Sequence, residues 1–158
     1  MNADTVTPER RAEGQIKIAV TLSPRDYDAV LFDLDGVLTR TASVHASAWK
    51  KVFDSFLEQR ATQAGSRFVP FDIETDYPRY VDGKPRYDGV AAFLKSRGIE
   101  LPMGAPDDDP DAQSVHALGN LKERYFLQDL QQHGVEPYEA AIPLVRKLRE
   151  EGVKTAVA

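Results

Sequence analysis

Hydrophobic positions along the chain change period several times, and each change predicts an element. Ile16, Ile18, Val20 and Leu22 alternate with polar neighbours, which predicts a short strand ended by Pro24. YDAVLFDL, residues 27–34, is an apolar run too short for a helix and predicts a buried strand. From Ser43 to about Ala64 the period becomes helical. Trp49, Val52, Phe53, Phe56 and Leu57 share one face there, and Gly65 follows as a stop. Residues 70–89 carry Pro70, Pro78 and Pro85 around short helical pieces. Val90, Phe93 and Leu94 predict the next helix, with Gly98 closing it. LPMGAPDDDPD reads as a solvated acidic loop. Asp111 is the expected N-cap of a helix that turns Val115, Leu118, Tyr125 and Leu130 inward and runs to about His133, before Gly134. Pro143 suits the first turn of a last helix, striped by Val145 and Leu148 and closed by Gly152. VKTAVA then predicts a second strand.

The order is strand, helical block, helix, strand. Two parallel strands need a crossover of only about a dozen residues, so the block is an extra module. The pattern predicts an α/β core with a helical cap inserted between its first strand and its first core helix. The expected divisions are an N-terminal extension, 1–25; first strand and catalytic loop, 26–42; helical cap, 43–136; and core helix with second strand, 137–158. Residues 1–14 are polar and are expected to be mobile.

Composition narrows the function classes. With 42% hydrophobic and 28% charged residues, the chain is that of an ordinary globular protein. A net charge of −5 argues against a nucleic-acid surface. The absence of cysteine excludes disulfides and thiolate metal sites and suits a reducing compartment. No apolar run approaches the roughly 20 residues that span a bilayer, and MNADTVTPERRAEGQ has no signal-peptide core. The expected location is the cytoplasm, with no membrane partner.

Candidate chemistry starts at Asp33 and Asp35. Residues i and i+2 of an extended chain point the same way, and these two follow a strand, where open α/β sheets place their ligands. Gly36 allows a sharp turn and a close backbone approach. Paired carboxylates repel unless a cation lies between them or one is protonated. A Mg²⁺ ion takes such oxygen ligands. A carboxylate can also attack phosphorus, and a protonated neighbour can serve the leaving oxygen. The same two residues could equally be turn and cap residues. An EF-hand does not fit, because its required glycine and glutamate fall on Leu38 and Val44.

VLFDLDGVLT resembles the first motif of the haloacid dehalogenase superfamily, a hydrophobic strand followed by DxDGxxT. HASAWKKVF and DGKPRYDGVAAFL resemble the helical cap of its β-phosphoglucomutase-like subfamily, and AAIPLVRKLREEGVKTAVA resembles the segment leading to the second motif. The resemblance implies a Rossmann-type α/β core, incomplete here, with an inserted α-helical cap. It makes Asp33 the nucleophile and Asp35 the general acid/base, with Mg²⁺ held by Asp33 and Asp35, the latter through its backbone carbonyl. It places Thr39, His45, Trp49, Lys84 and Arg86 toward substrate, Arg86 on a second, non-transferring phosphate and Thr39 also holding the loop. Thr41 lies at the hinge into the cap, where Arg40 replaces an acidic residue common in relatives. His116 and His133 are expected at the surface. The implied substrate is a small phosphorylated sugar, and the implied reaction that of a mutase or a phosphatase. The chain resembles an N-terminal fragment that stops short of the later motifs. It is therefore expected to be inactive alone, and a binding remnant is the alternative.

Overall fold

A computed structural model describes residues 22–158. The strand expected at 16–22 and the stretch 1–14 lie outside the described residues, Leu22 apart. Two compact units are present: one holds the segment ending at Phe32 together with Glu139–Ala158, the other Asp33–Tyr138.

In the first unit, β1 (Ala29–Phe32) pairs in parallel with β2 (Lys154–Val157), Ala29 opposite Lys154 and Phe32 opposite Val157. Helix α4 (Ala141–Glu150) packs against β2 and buries Leu148, while Val153 is buried beside it. Gly152, at φ +84°, turns the chain out of α4, and the Val153 N–H reaches the Leu148 carbonyl at 2.9 Å. The expectation of a buried first strand is corrected: Leu31 is 69% exposed. Among the described residues the sheet has two strands and one packed helix, α4, which leaves Leu31 uncovered.

The second unit is helical. Its elements are α1 (Thr41–Ala64), a π-helical turn (Tyr77–Val81), α2 (Arg86–Ser96) and α3 (Val115–His133). α1 packs on α3, and α2 packs on α3 and on the π-helical turn. The apolar stripe of α1 builds the core. Phe53 is fully buried, with Phe93 at 4.2 Å, Phe71 at 5.0 Å and Trp49 at 5.2 Å between ring centroids. The loop that brings in Phe71 is tied to α1 at both backbone groups: its N–H donates to Asp54 at 2.7 Å, and its carbonyl accepts from Lys50 at 2.8 Å. Gly65 ends α1 in the left-handed conformation at φ +60°. The cap of α3 departs from expectation. Ser114, not Asp111, takes the Ala117 N–H at 3.0 Å, and it donates in turn to Asp108. Asp111 is exposed and its N–H is turned onto Asp109. His116 is half-buried rather than at the surface, its ring 4.1 Å from that of Tyr87. No helix among the described residues is long and apolar enough to cross a membrane.

Phe53 joins three aromatic neighbours from separate segments. Phe53→Ala is expected to destabilise the helical unit by about 3–5 kcal/mol, the cost of emptying a large buried aromatic site. Urea unfolding followed by circular dichroism measures it; a loss below about 1 kcal/mol would mean that the nest collapses into the gap.

Candidate active site

The loop after β1 is wound on one carbonyl. Leu34 O accepts the Leu38 and Thr39 N–H groups at 3.1 and 3.0 Å and the Thr39 hydroxyl at 3.0 Å. Gly36 makes the turn possible: its φ is +78°, and an added Cβ would lie 3.3 Å from the Ala42 Cβ. β1 ends at Phe32, so Asp33 and Asp35 sit in this loop rather than on a strand. Both still line one cleft of about 510 Å³, which lies wholly within the helical unit.

The two carboxylates are treated differently. Asp35 is held on both oxygens. Oδ1 accepts from the Thr41 hydroxyl, and Oδ2 lies 3.1 Å from His45 Nε2. Thr41 Oγ1 is in turn 2.7 Å from Thr39 Oγ1, with both threonines buried. Asp33 makes no side-chain hydrogen bond or ion pair among the described residues.

His45 stands on the first turns of α1, its ring stacked on Phe126 of α3 at 4.0 Å. Its Nδ1 meets Lys122 Nζ at 2.7 Å. An ammonium can only donate, so Nδ1 accepts and the ring hydrogen belongs on Nε2, facing Asp35. Burial, and then the neighbouring Lys122 charge, hold His45 below its usual imidazole range against the opposing pull of Asp35. Lys122 is itself buried, and burial pushes its ammonium down to about 8. The Phe126 ring face, 4.6 Å away, gives that charge a further partner.

In the same cleft, Arg86 Nη2 pairs with Glu123 Oε2 at 2.8 Å. Gly119 allows this closeness between α2 and α3. An added Cβ would lie 2.6 Å from the Tyr87 ring and 3.3 Å from the Arg86 Cδ.

Of the residues selected by sequence, the structure brings Asp33, Asp35, His45, Trp49, Lys84 and Arg86 to one cleft. Thr39 does not line it; its hydroxyl is spent behind Asp35 on Leu34 and Thr41. Trp49 is 5% exposed and serves the core as well as the wall. Lys84 reaches the Arg79 carbonyl at 3.4 Å. Sequence reasoning missed Tyr77, Lys122 and Glu123, which also line the cleft. Burial, and then the Asp82 and Asp35 carboxylates, hold the Tyr77 phenol above its usual range. A signal for Lys122 existed: it lies four residues after Leu118 and three before Tyr125, so a charge falls on the inward stripe of α3.

The donor set fits a hard cation in part. The Asp33 carboxylate and the Asp35 main-chain carbonyl are oxygen donors engaged by no group among the described residues. The Asp35 side chain is already occupied. No cluster of three His, Cys, Asp or Glu suited to a metal occurs among the described residues. Further ligands on such an ion would be water or phosphate oxygens.

A family model for haloacid dehalogenase-like hydrolases matches residues 27–158. The chain belongs to this family. It is 44% identical over 143 residues to a β-phosphoglucomutase of Mycobacterium bovis and, to the same degree, to one of Mycobacterium tuberculosis, a match that takes in 90% of this chain. The chain spans 55% of the length of those relatives. An uncharacterized glycosyl hydrolase of Mycobacterium tuberculosis is 40% identical over 136 residues, 86% of this chain and 10% of that one. Among solved structures, CbbY from Rhodobacter sphaeroides in complex with phosphate aligns with a TM-score of 0.55 at 20% identity, covering 84% of this chain and 50% of that chain. A hydrolase from Pseudomonas syringae aligns at 0.53, also at 20% identity, over 84% of this chain and 48% of that one. These two share the fold: an α/β element with inserted helices, as in the haloacid dehalogenase family.

Lys122 gives the site a pH signature. Unfolded, it keeps its ordinary value of 10.5; folded, it releases its proton near 8. Between those values the unfolded chain binds more protons, so stability rises with pH. The urea midpoint is expected to climb from about pH 8 to about pH 10 in the native protein and to climb less in Lys122→Met. Equal slopes in the two proteins would show that Lys122 titrates normally.

Proposed function

We propose that the whole protein transfers a phosphoryl group to or from a phosphorylated sugar through an aspartyl phosphate on Asp33, as a β-phosphoglucomutase or a phosphatase of that kind. The observation that carries this reading is the unequal treatment of two carboxylates in one cleft: among the described residues Asp33 has no side-chain partner, while Asp35 is clamped between Thr41 and His45. Two like groups in unlike environments are suited to unlike roles. The identity to β-phosphoglucomutases supports the substrate class. In this reading residues 43–136 are the cap, and 26–42 with 137–158 belong to the core.

In the first step an Asp33 oxygen bonds to phosphorus as the bond from phosphorus to the sugar oxygen breaks. The departing oxygen takes the proton of Asp35. In the second step water, or another hydroxyl of the sugar, gives its proton back to Asp35 and attacks the acyl phosphate, freeing Asp33. Water as acceptor makes a phosphatase; a sugar hydroxyl makes a mutase. Thr41, backed by Thr39, and His45 hold the two Asp35 oxygens in place. His45, neutral, presents its Nε2 hydrogen to Oδ2 and fixes the direction of the carboxyl group. The Asp33 carboxylate and the Asp35 main-chain carbonyl would hold Mg²⁺, which would supply charge neutralisation for the phosphoryl oxygens. Arg86, with Lys84 nearby, faces the group of the sugar remote from Asp33.

The test is a screen against hexose 1- and 6-phosphates with Mg²⁺, scoring free phosphate and isomer formation. Residues 1–158 are assayed beside a protein extended to the length of the curated relatives. Asp33→Asn is expected to abolish turnover, and near-normal turnover would remove it as nucleophile. Asp35→Asn is expected to slow turnover by about 10²–10⁴-fold, the usual worth of a general acid/base, and to leave Mg²⁺ affinity intact. A collapse of Mg²⁺ affinity would make its side chain a metal ligand. Sugar phosphate binding with no acyl phosphate at all would mark a binding domain instead.

A further inference from the structure

Resting on that reading of the cleft, we propose that Glu123 is a specificity-determining residue: a fixed internal anion that competes with the distal phosphate of a sugar bisphosphate for Arg86. The geometry is that of a latch. Glu123 Oε2 takes Arg86 Nη2 at 2.8 Å, and both side chains are about one-third exposed at the cleft. The same oxygen lies 3.9 Å from Lys122 Nζ. When Arg86 turns to an incoming anion, Glu123 therefore keeps a cation close by and is not left unpaired. Gly119 sets the reach, since the Arg86 stem passes close over α3 at the glycine.

The consequence depends on the ligand. A single phosphate at the Asp33 end leaves the Arg86–Glu123 pair intact. A second phosphate at the far end reaches Arg86 by breaking that pair, so each bisphosphate bound replaces one ion pair with another. Glu123 thereby lowers affinity for the doubly phosphorylated sugar and leaves the reacting end alone. A merely structural ion pair between α2 and α3 would affect unfolding and not this distinction.

Calorimetric titration of the protein extended to the length of the curated relatives, carrying Asp33→Asn so that neither probe turns over, with Mg²⁺ present separates the two. The probes are a hexose 1,6-bisphosphate and inorganic phosphate. Glu123→Gln is expected to tighten the bisphosphate about threefold to fivefold, the value of a partly exposed ion pair, and to leave inorganic phosphate unchanged. In an Arg86→Ala background the same substitution is expected to change neither, because a latch needs both partners. Three results would each overturn the latch: no change for the bisphosphate, equal tightening of both probes, or a gain that survives without Arg86. If Arg86→Ala weakens the bisphosphate while Glu123→Gln does nothing, the latch fails and the phosphorylated-sugar reading stands. If the extended protein with Arg86 and Glu123 intact binds neither probe, the phosphorylated-sugar reading fails and the latch with it.

Discussion

The buried ammonium of Lys122 is the constraint around which the helical unit is arranged. A charge taken out of water is costly unless it gains partners of nearly equal worth. Lys122 gains them from three directions: the His45 Nδ1 lone pair on α1, the Phe126 ring on its own helix, and the Glu123 carboxylate beside it. None of these is strong alone. Only the His45 contact crosses from α3 to α1, with the Trp49 ring of α1 5.7 Å from the ammonium, and it is this contact that ties the two helices at the cleft. The same contact dictates the tautomer of His45, and so decides which face of Asp35 meets a hydrogen. A packing requirement and a protonation state are here the same interaction.

The helices were legible because their signals are local. The face of Trp49, Val52, Phe53, Phe56 and Leu57 needs only the helical period, and α1 buries all five residues. Gly65 and Gly134 stop their helices where a positive φ is needed. The cap of α3 was misread because Asp111 and Ser114 are both good capping residues. What decides between them is Asp108, which accepts the Ser114 hydroxyl from six residues away and draws the turn tight. The burial of β1 was misread for the opposite reason: an apolar run reports what a strand can bury, and the covering has to come from elsewhere.

The site was legible by motif and illegible by pairing. The loop from Asp33 to Thr41 declares itself in nine consecutive residues. The pairs that give those residues unequal character do not: Lys122 meets His45 across 77 positions, and Glu123 meets Arg86 across 37. Nothing in the local sequence of α3 announces either partner, except that a lysine occupies an apolar stripe. The i, i+2 rule expects Asp33 and Asp35 to project together from extended backbone; both line one cleft, but by another route. The strand has already ended, and the turn on Leu34 O, not extended backbone, brings both to the cleft.

Charge balance then links the latch to the chemistry. Among the described residues four carboxylates, Asp33, Asp35, Asp82 and Glu123, line the cleft with three cations, Lys84, Arg86 and Lys122, while His45 is held neutral. A phosphate dianion gains little from such a lining as it stands. On the proposed reading the balance turns favourable at each end by a different route. At Asp33 it needs a divalent ion and a proton on Asp35, both of which remove negative charge where the phosphoryl group arrives. At Arg86 it needs Glu123 to give way to the ligand and settle on Lys122. On that reading the two adjustments are joined through the Lys122 ammonium, 2.7 Å from His45 on one side and 3.9 Å from Glu123 on the other.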